Sequence, residues 1–479
     1  MPDYIFMLES RLAPEQLRAL NRAQQEAQEL SLNIYLVGGA VRDLMTGAPI
    51  GDLDFVVEGN PHRLARRLAS DGAFRFDTDQ ATHSAELTLA EGVRVSVAMA
   101  RTDIYRKPGQ PPESRPAPIL EDLRRRDFSL NAMGVSLTPG SRGLLLDPTN
   151  GLADIETREL RVLHNYSFVH DPVRLFRLLR FSLRLGFKAE PRTQELFESA
   201  LERSFQDSIR PATLGAEFEQ IAREANVVAV LKALAARELL EVFHPRLARR
   251  KPDYDGLAKW QKYRLAAQEQ GYRPDSLFAV LHYVRRRLPV RAQNTLLVRL
   301  SFSKAQRTKA AAFEGEVRKL VKQVRRLRHA NPKQIYDLLE PVPVERLVFA
   351  LANYSSQRHV QAKIYNYLFK YRPLRHKLPA RELQLMGVAP GPKFDQILEK
   401  YFQALLLGKL RGRPHQLRFL REAAGLPKVK PKPVKKSERP APKSAQAAAA
   451  HGKGPGVKAA PAAARKLVPA PKRKPAAPA

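Results

Sequence analysis

No cysteine occurs in the 479 residues. That excludes a disulfide framework, a cysteine-ligated zinc site, an iron–sulfur cluster and a thiol nucleophile, and it fits a reducing cytoplasm. Acidic residues are scarce: 48 Asp and Glu face 82 Lys and Arg, for a formal net charge of +34. Tryptophan occurs once, at Trp260, and is expected in the core rather than as a base-stacking platform. No apolar run approaches the roughly 20 residues that span a bilayer, so no membrane partner is expected. The start, Met1 to Leu8, has no basic stretch and carries Asp3, so no signal peptide is expected. His164, His244 and His282 are scattered without metal-ligand spacing. What is present is ample apolar material, with 44% hydrophobic residues and 21 Phe. This rules out global disorder, and the length suggests two to four folded units. For a basic chain with a core, nucleic acid is the first partner class to expect, ahead of acidic membrane surfaces.

The stretch 427–479 is built from Lys, Pro and Ala, with Glu438 as its one acid, and carries +13. Its composition cannot offset the entropy of ordering, so a disordered tail that tethers polyanions is expected. Upstream, Pro14 to Leu30 reads as a helix, Ile34 to Val37 as a buried strand ending in two glycines, and Val41 to Met45 as a helix start. Leu53 to Val57 reads as a strand and Pro61 to Ser70 as a helix. Ala85 to Leu89 and Val93 to Ala98 read as paired strands around a turn at Glu91-Gly92. Tyr105 to Pro118 is rich in Pro and Gly and reads as a mobile loop; Leu130 to Leu137 is a further strand candidate. After about Asn150 the rhythm turns helical, including Pro172–Leu185, Glu217–Leu240 as one helix, Lys304–Leu327 and Gln357–Tyr371. The fold class expected is an α+β N-terminal domain with a mixed or antiparallel sheet, followed by an all-helical region. No fixed-period repeat is evident.

The stretch richest in chemistry is LVGGAVRD at 36–43, followed by DLD at 52–54. Gly38 and Gly39 after a strand let the backbone approach a phosphate, and the following helix offers its N-terminal amides. Arg42 sits in its first turn, within reach of a triphosphate. Asp52 and Asp54, two apart on a strand, share one face. Paired carboxylates held so are hard oxygen ligands for Mg²⁺ that leave positions open for substrate phosphates. Arg174, Arg177 and Arg180 at helical spacing form a cationic stripe.

With EDLRRRDFSLNAM (121–133), DPTNGLADI (147–155) and HDPVRLFRLLRFSLRLGF (170–187) in the same order, the chain resembles the class II tRNA nucleotidyltransferase and bacterial poly(A) polymerase family. The resemblance is strong over Tyr35 to Phe187 and weaker through the helical part. It implies that Gly39 and Arg42 contact the nucleotide triphosphate and that Asp52 and Asp54 hold catalytic Mg²⁺. It implies that Arg126 and Asp127 grip the incoming nucleotide and its ribose, with Asn131 supporting that pocket. The family's base-templating EDxxR motif falls on His170, Asp171 and Arg174, with Arg177 and Arg180 as further nucleotide contacts. Three departures stand out. Ser96 occupies a strand position where the family usually has an acid, His170 replaces the templating motif's Glu, and THSAEL (82–87) lacks the usual Phe-Gly-Thr.

The partners implied are the 3′ end of tRNA or other RNA, ATP and, for CCA addition, CTP; the implied location is the cytoplasm. The core motifs do not separate CCA-adding, A-adding and poly(A)-forming members. LPARELQLMGVAPGPKFDQILEKYFQALLLGKL (378–410) resembles the C-terminal module of the tRNA enzymes, while the basic tail resembles extensions on poly(A) polymerases. A third possibility is a degenerate member that only binds RNA. The expected divisions are 1–30 as a helical lead-in, 31–150 as the catalytic head and 151–215 as a base-recognising neck. They continue with 216–372 as a helical body, 373–426 as an RNA-binding helical module and 427–479 as the tail. The sequence carries no signature of an oligomeric state.

Overall fold

Two central strands buried on both faces, Ile34 to Val37 and Phe55 to Val57, and two flanking strands that alternate buried and less buried residues build the sheet of the N-terminal half. The computed structural model describes residues 3–70, 75–79, 83–89 and 92–426. Its strands are β1 (Asn33–Val37), β2 (Leu53–Glu58), β3 (Arg75–Asp79), β4 (Ser84–Thr88), β5 (Arg94–Met99), β6 (Arg101–Ile104), β7 (Glu113–Pro116), β8 (Gly134–Ser136) and β9 (Leu145–Leu146). Seven of them form one sheet in the order β3-β4-β5-β2-β1-β8-β9. In it β2 and β5 run parallel and all other neighbours antiparallel, so the sheet is mixed.

Leu36, Leu53, Phe55, Val57, Val95 and Val97 point to one face. They share a core with α1 (Tyr4–Arg11), α2 (Pro14–Glu29), α3 (Gly39–Thr46) and α4 (Pro61–Ala69). Tyr35, Val37 and Val56 point to the other face, where Ile119 and Leu123 of α5 (Ile119–Arg124) cover part of it. Asp54 has the parity of Val56. The alternation that buries Leu53 and Phe55 under the helices therefore delivers Asp54 to the opposite side.

Helices follow: α6 (Gly151–Thr157), α7 (Ser167–His170), α8 (Arg174–Leu185), α9 (Pro191–Glu202), α10 (Pro211–Arg223) and others through to Ala423. The expectation of an all-helical region needs one amendment. Glu159–Leu160 and Lys188–Ala189 form a short parallel strand pair. One continuous core links Phe128 to Leu406 and includes the fully buried Trp260. Leu383, Phe394, Ile397, Tyr401 and Leu420 form a separate small core near the end.

Several expectations are corrected. Residues 105–118 are not simply a loop, because β7 lies within them and pairs antiparallel with β6, which ends just before them. The strand expected over 130–137 shrinks to β8, preceded by a single 3₁₀ turn at Ser129–Asn131. The helix expected over 217–240 breaks after α10. Asn226 caps a new helix, Val227–Ala236, by accepting from the Ala229 amide. Buried Arg264 donates to the carbonyls of Ala222, Glu224 and Ala225, satisfying the end of α10. By contacts the chain divides at Leu426; the expected tail lies outside the described residues, as do Thr82 and Glu91. Among the described residues no helix is long and apolar enough to cross a membrane.

Candidate active site

Gly38 joins β1 to α3 with φ 66° and ψ −126°, a backbone state that glycine alone takes without strain. A Cβ there would lie 3.0 Å from Arg126 Nη1, and a Cβ on either Gly38 or Gly39 would lie 3.9 Å from Asp54 Oδ2. The glycines thus leave open the space between a guanidinium and a carboxylate, beside the unsatisfied amides of the first turn of α3.

Asp54 Oδ1 accepts a 2.6 Å hydrogen bond from Ser96 Oγ, its partner across β2 and β5, which leaves Oδ2 toward the glycine turn. Asp52, just before β2, forms an ion pair with Arg94 at 2.9 Å. Both carboxylates line a cavity of about 330 Å³ together with Glu86, Ser96 and Arg223. Burial raises the Asp52 pKa and the nearby Asp54 charge adds to this, while Arg94 and Arg223 oppose it. The two acids thus share the wall of this cavity. Among the described residues no group of three or more His, Asp or Glu side chains gathers as a metal site. The two hard carboxylates beside a side-chain-free turn do suit a Mg²⁺ ion that draws its remaining ligands from phosphates and water.

A chain of polar contacts runs behind this turn. Arg42 is buried; it donates to Asp43 Oδ1 at 2.9 and 2.7 Å and to Asn131 Oδ1 at 2.9 Å. Asn131 Nδ2 donates in turn to Asp127 Oδ1 at 2.9 Å. Arg126 is anchored at 2.9 Å by Asp122, which is fully buried and also accepts from Arg125. Burial would raise the Asp127 pKa, but Arg177, Asn131 and Arg174 outweigh it and hold the carboxyl below the usual range.

The neck arginines diverge. Arg174 donates to Ser167 Oγ at 2.6 Å and to the Arg125 carbonyl at 3.0 Å, and it lies 3.6 Å from Asp171 Oδ2. Arg177 bridges Asp127 at 3.3 Å and Glu217 at 3.4 Å. Arg180 is buried; it donates to Glu217 at 2.7 Å and to Glu224 at 3.0 Å and lies over the Phe181 ring.

Gly38, Gly39, Arg42, Asp54, Arg126, Asp127, Asn131, Asp171, Arg174 and Arg177 all line one open cleft of about 750 Å³. Asp52 sits in the adjoining cavity. Arg180 is not among the lining residues; it stands one layer behind. Sequence reasoning passed over Arg101, Asp103, Tyr105, Arg125 and Arg210, which also line the cleft, and Glu217, which braces two arginines. Arg125 stood in plain sight beside Arg126, but nothing in a run of three arginines says which ones turn inward.

Residues 34–161 match the family model described as the poly A polymerase head domain. Over 423 residues the chain is 28% identical to an A-adding tRNA nucleotidyltransferase of Halalkalibacterium halodurans, covering 88% of this chain and 95% of that protein. It is 27% identical over 423 residues to one of Geobacter sulfurreducens, covering 87% of this chain but spanning 48% of that longer protein. A solved CCA-adding enzyme in an apo form superposes with a TM-score of 0.51 at 26% identity, covering 87% of this chain and 97% of the other. Along most of its length the chain is thus similar to A-adding and CCA-adding tRNA nucleotidyltransferases, and residues 34–161 carry the poly A polymerase head domain. Two departures from the family's motifs now have a geometry. Ser96 spends its hydroxyl on Asp54. His170 is flanked by aromatic rings: Tyr105 stacks on it at 4.9 Å and Tyr166 at 5.7 Å.

Proposed function

We propose that this chain is a template-independent nucleotidyltransferase that adds CCA, or its terminal A, to tRNA 3′ ends from CTP and ATP, releasing pyrophosphate. The observation that carries the reading is the aim of Asp54 Oδ2 at the bare Gly38–Gly39 turn, on the wall of a cleft to which seven arginines contribute, Arg42, Arg101, Arg125, Arg126, Arg174, Arg177 and Arg210. In this reading the first-turn amides of α3 and the Arg126 guanidinium receive the triphosphate. Arg42 is held by Asp43 and Asn131 through three of its five N–H groups, so it fixes Asn131, and through it Asp127, which meets the ribose, and keeps donors for the triphosphate. Asp171 offers acceptors and Arg174 donors to the edge of the base. Arg177 neutralises Asp127, and Arg180 locks the neck helix to Glu217 and Glu224. Mg²⁺ held by Asp52 and Asp54 would polarise the RNA 3′-hydroxyl and neutralise the departing pyrophosphate. What the chain itself contributes is placement: the hydroxyl, the α-phosphate and the leaving group held in line inside a charged cleft.

We also propose that the head, neck, body and C-terminal module divide at the boundaries expected from sequence, with the separate small core around Phe394 supporting an RNA-gripping end piece. The place of this work is the cytoplasm, in keeping with a cysteine-free chain. The test is extension of tRNA lacking part or all of CCA with labelled CTP and ATP. A stop after one to three nucleotides supports the proposal. Long A-tails on generic RNA would make the chain a poly(A) polymerase, and no incorporation with any nucleotide would make it an RNA-binding protein.

A further inference from the structure

β5 lies between β2 and β4, so its backbone is paired on both sides and the directions of its side chains are fixed. Ser96 stands across from Asp54 on one neighbour and from Glu86 on the other. Its Oγ donates to Asp54 Oδ1 at 2.6 Å. Two residues earlier on the same strand, Arg94 pairs with Asp52 at 2.9 Å. One strand thus gives each of the two acids a donor. Glu86 lines the same cavity, but it stands one strand further from Asp54. Among the described residues it does not join Asp52 and Asp54 in a group of three side chains able to hold a metal ion. The acid missing at position 96 is therefore not supplied by its neighbour across the ladder.

We infer that Ser96 is a positioning residue: its hydroxyl holds Asp54 with Oδ2 toward the glycine turn, and the divalent cation is left to Asp52 and Asp54 alone. The inference rests on the metal-holding role proposed above for those two acids. A carboxylate at position 96 would offer a third hard oxygen ligand, but it would repel Asp54 until a cation was bound. A hydroxyl donor attracts Asp54 with or without the cation. Hydrogen bonds to an ionised acceptor are among the stronger ones, and this one comes from a central strand, so the direction of Oδ2 is set in advance of substrate. The same exchange weakens the hold on the cation. The site has one carboxylate fewer, and a guanidinium already sits on Asp52, while affinity for a hard cation follows the charge of its ligands.

The test titrates wild type, Ser96→Ala, Ser96→Thr, Ser96→Asp and Asp54→Asn with Mn²⁺ in the absence of nucleotide, following free Mn²⁺ by electron paramagnetic resonance. It also measures kcat and KM for ATP addition to tRNA ending in CC. Ser96 is half-buried on a cavity wall, so the sheet tolerates both the loss of its hydroxyl and one added methyl. Ser96→Ala is expected to bind Mn²⁺ as wild type does and to lose about tenfold in kcat, the scale of one hydrogen bond to a charged group, with KM for tRNA unmoved. Ser96→Thr keeps the hydroxyl and is expected to recover most of kcat. Ser96→Asp is expected to bind Mn²⁺ about tenfold more tightly than wild type. An unchanged kcat in Ser96→Ala overturns the inference, and so does a Thr variant no better than Ala. Mn²⁺ binding that drops in Ser96→Ala as far as in Asp54→Asn overturns it too, because the hydroxyl would then be a ligand. Unchanged Mn²⁺ binding in Ser96→Asp refutes a site one ligand short. Should Asp54→Asn bind Mn²⁺ as tightly as wild type, the metal-holding proposal fails instead.

Discussion

Replacing Gly38 by alanine tests the link from backbone to chemistry. At φ 66° and ψ −126° an L-residue is strained by about 1–3 kcal/mol. The new methyl would also stand 3.0 Å from Arg126 Nη1 and 3.9 Å from Asp54 Oδ2. Arg126 cannot simply swing away, because Asp122 holds it from behind at 2.9 Å. The strain must therefore be relieved by moving the turn, and a displacement near 1 Å in a reacting geometry costs about 10²-fold in rate. Gly39→Ala is the control. Its added Cβ meets Arg42 Nη2 at 3.5 Å and Asp54 Oδ2 at 3.9 Å, ordinary contact distances. Urea unfolding and steady-state ATP incorporation on the two variants separate the effects. Gly38→Ala should lose both stability, by the amount above, and about two decades of kcat/KM. Gly39→Ala should keep its stability and lose only nucleotide affinity. If Gly38→Ala unfolds at the wild-type midpoint, or Gly39→Ala proves the less stable of the two, the reasoning about this turn is wrong.

Two further outcomes concern stability away from the turn. Glu217→Ala leaves buried Arg180 with Glu224 alone; breaking such a pair from one side costs about 3–5 kcal/mol, read as a shift of the denaturant midpoint, and a loss below about 1 kcal/mol would make the pair dispensable. His282 is buried between Tyr283 and Phe349, and burial pulls its pKa from 6.5 to about 4, with Glu314 opposing and Arg286 and Arg285 assisting. Because its folded pKa is the lower one, the unfolded chain takes up a proton that the folded chain refuses. Stability should thus fall as pH drops from about 6.5 to about 4. His282→Phe should show a shallower fall between pH 7 and 5 in unfolding experiments, and an equally steep one would assign the acid sensitivity to other groups.

The strands around the turn were legible because each is a short apolar run of strand length, bounded by Gly38-Gly39 in one case and by Asp52 and Gly59 in the other. The glycine pair was legible because few other residues end a buried strand and start a helix so abruptly. The arginine stripe was misleading in part. At 3.6 residues per turn, Arg174 and Arg180 point about 120° apart, so a row of cations spaced by three winds around its helix. Arg174 and Arg177 reach the cleft, while Arg180 turns toward Glu217 and Glu224, whose arrival from α10 and its end no local pattern announces. The β6–β7 hairpin was hidden by its Pro- and Gly-rich connection. The break after α10 was hidden because Arg264, which satisfies its last carbonyls, lies about 40 residues downstream. Position 170 was visible as a departure, but its two tyrosine neighbours come from separate segments and meet only in the fold.

The most direct measurement of the central claim is single-turnover addition of labelled ATP to tRNA ending in CC, with Mg²⁺, by wild type and by Asp54→Asn, alongside tRNA binding by each. The account predicts that wild type adds one nucleotide, that the Asn variant adds none above background, and that both hold tRNA equally well. Incorporation by Asp54→Asn at the wild-type rate would contradict it.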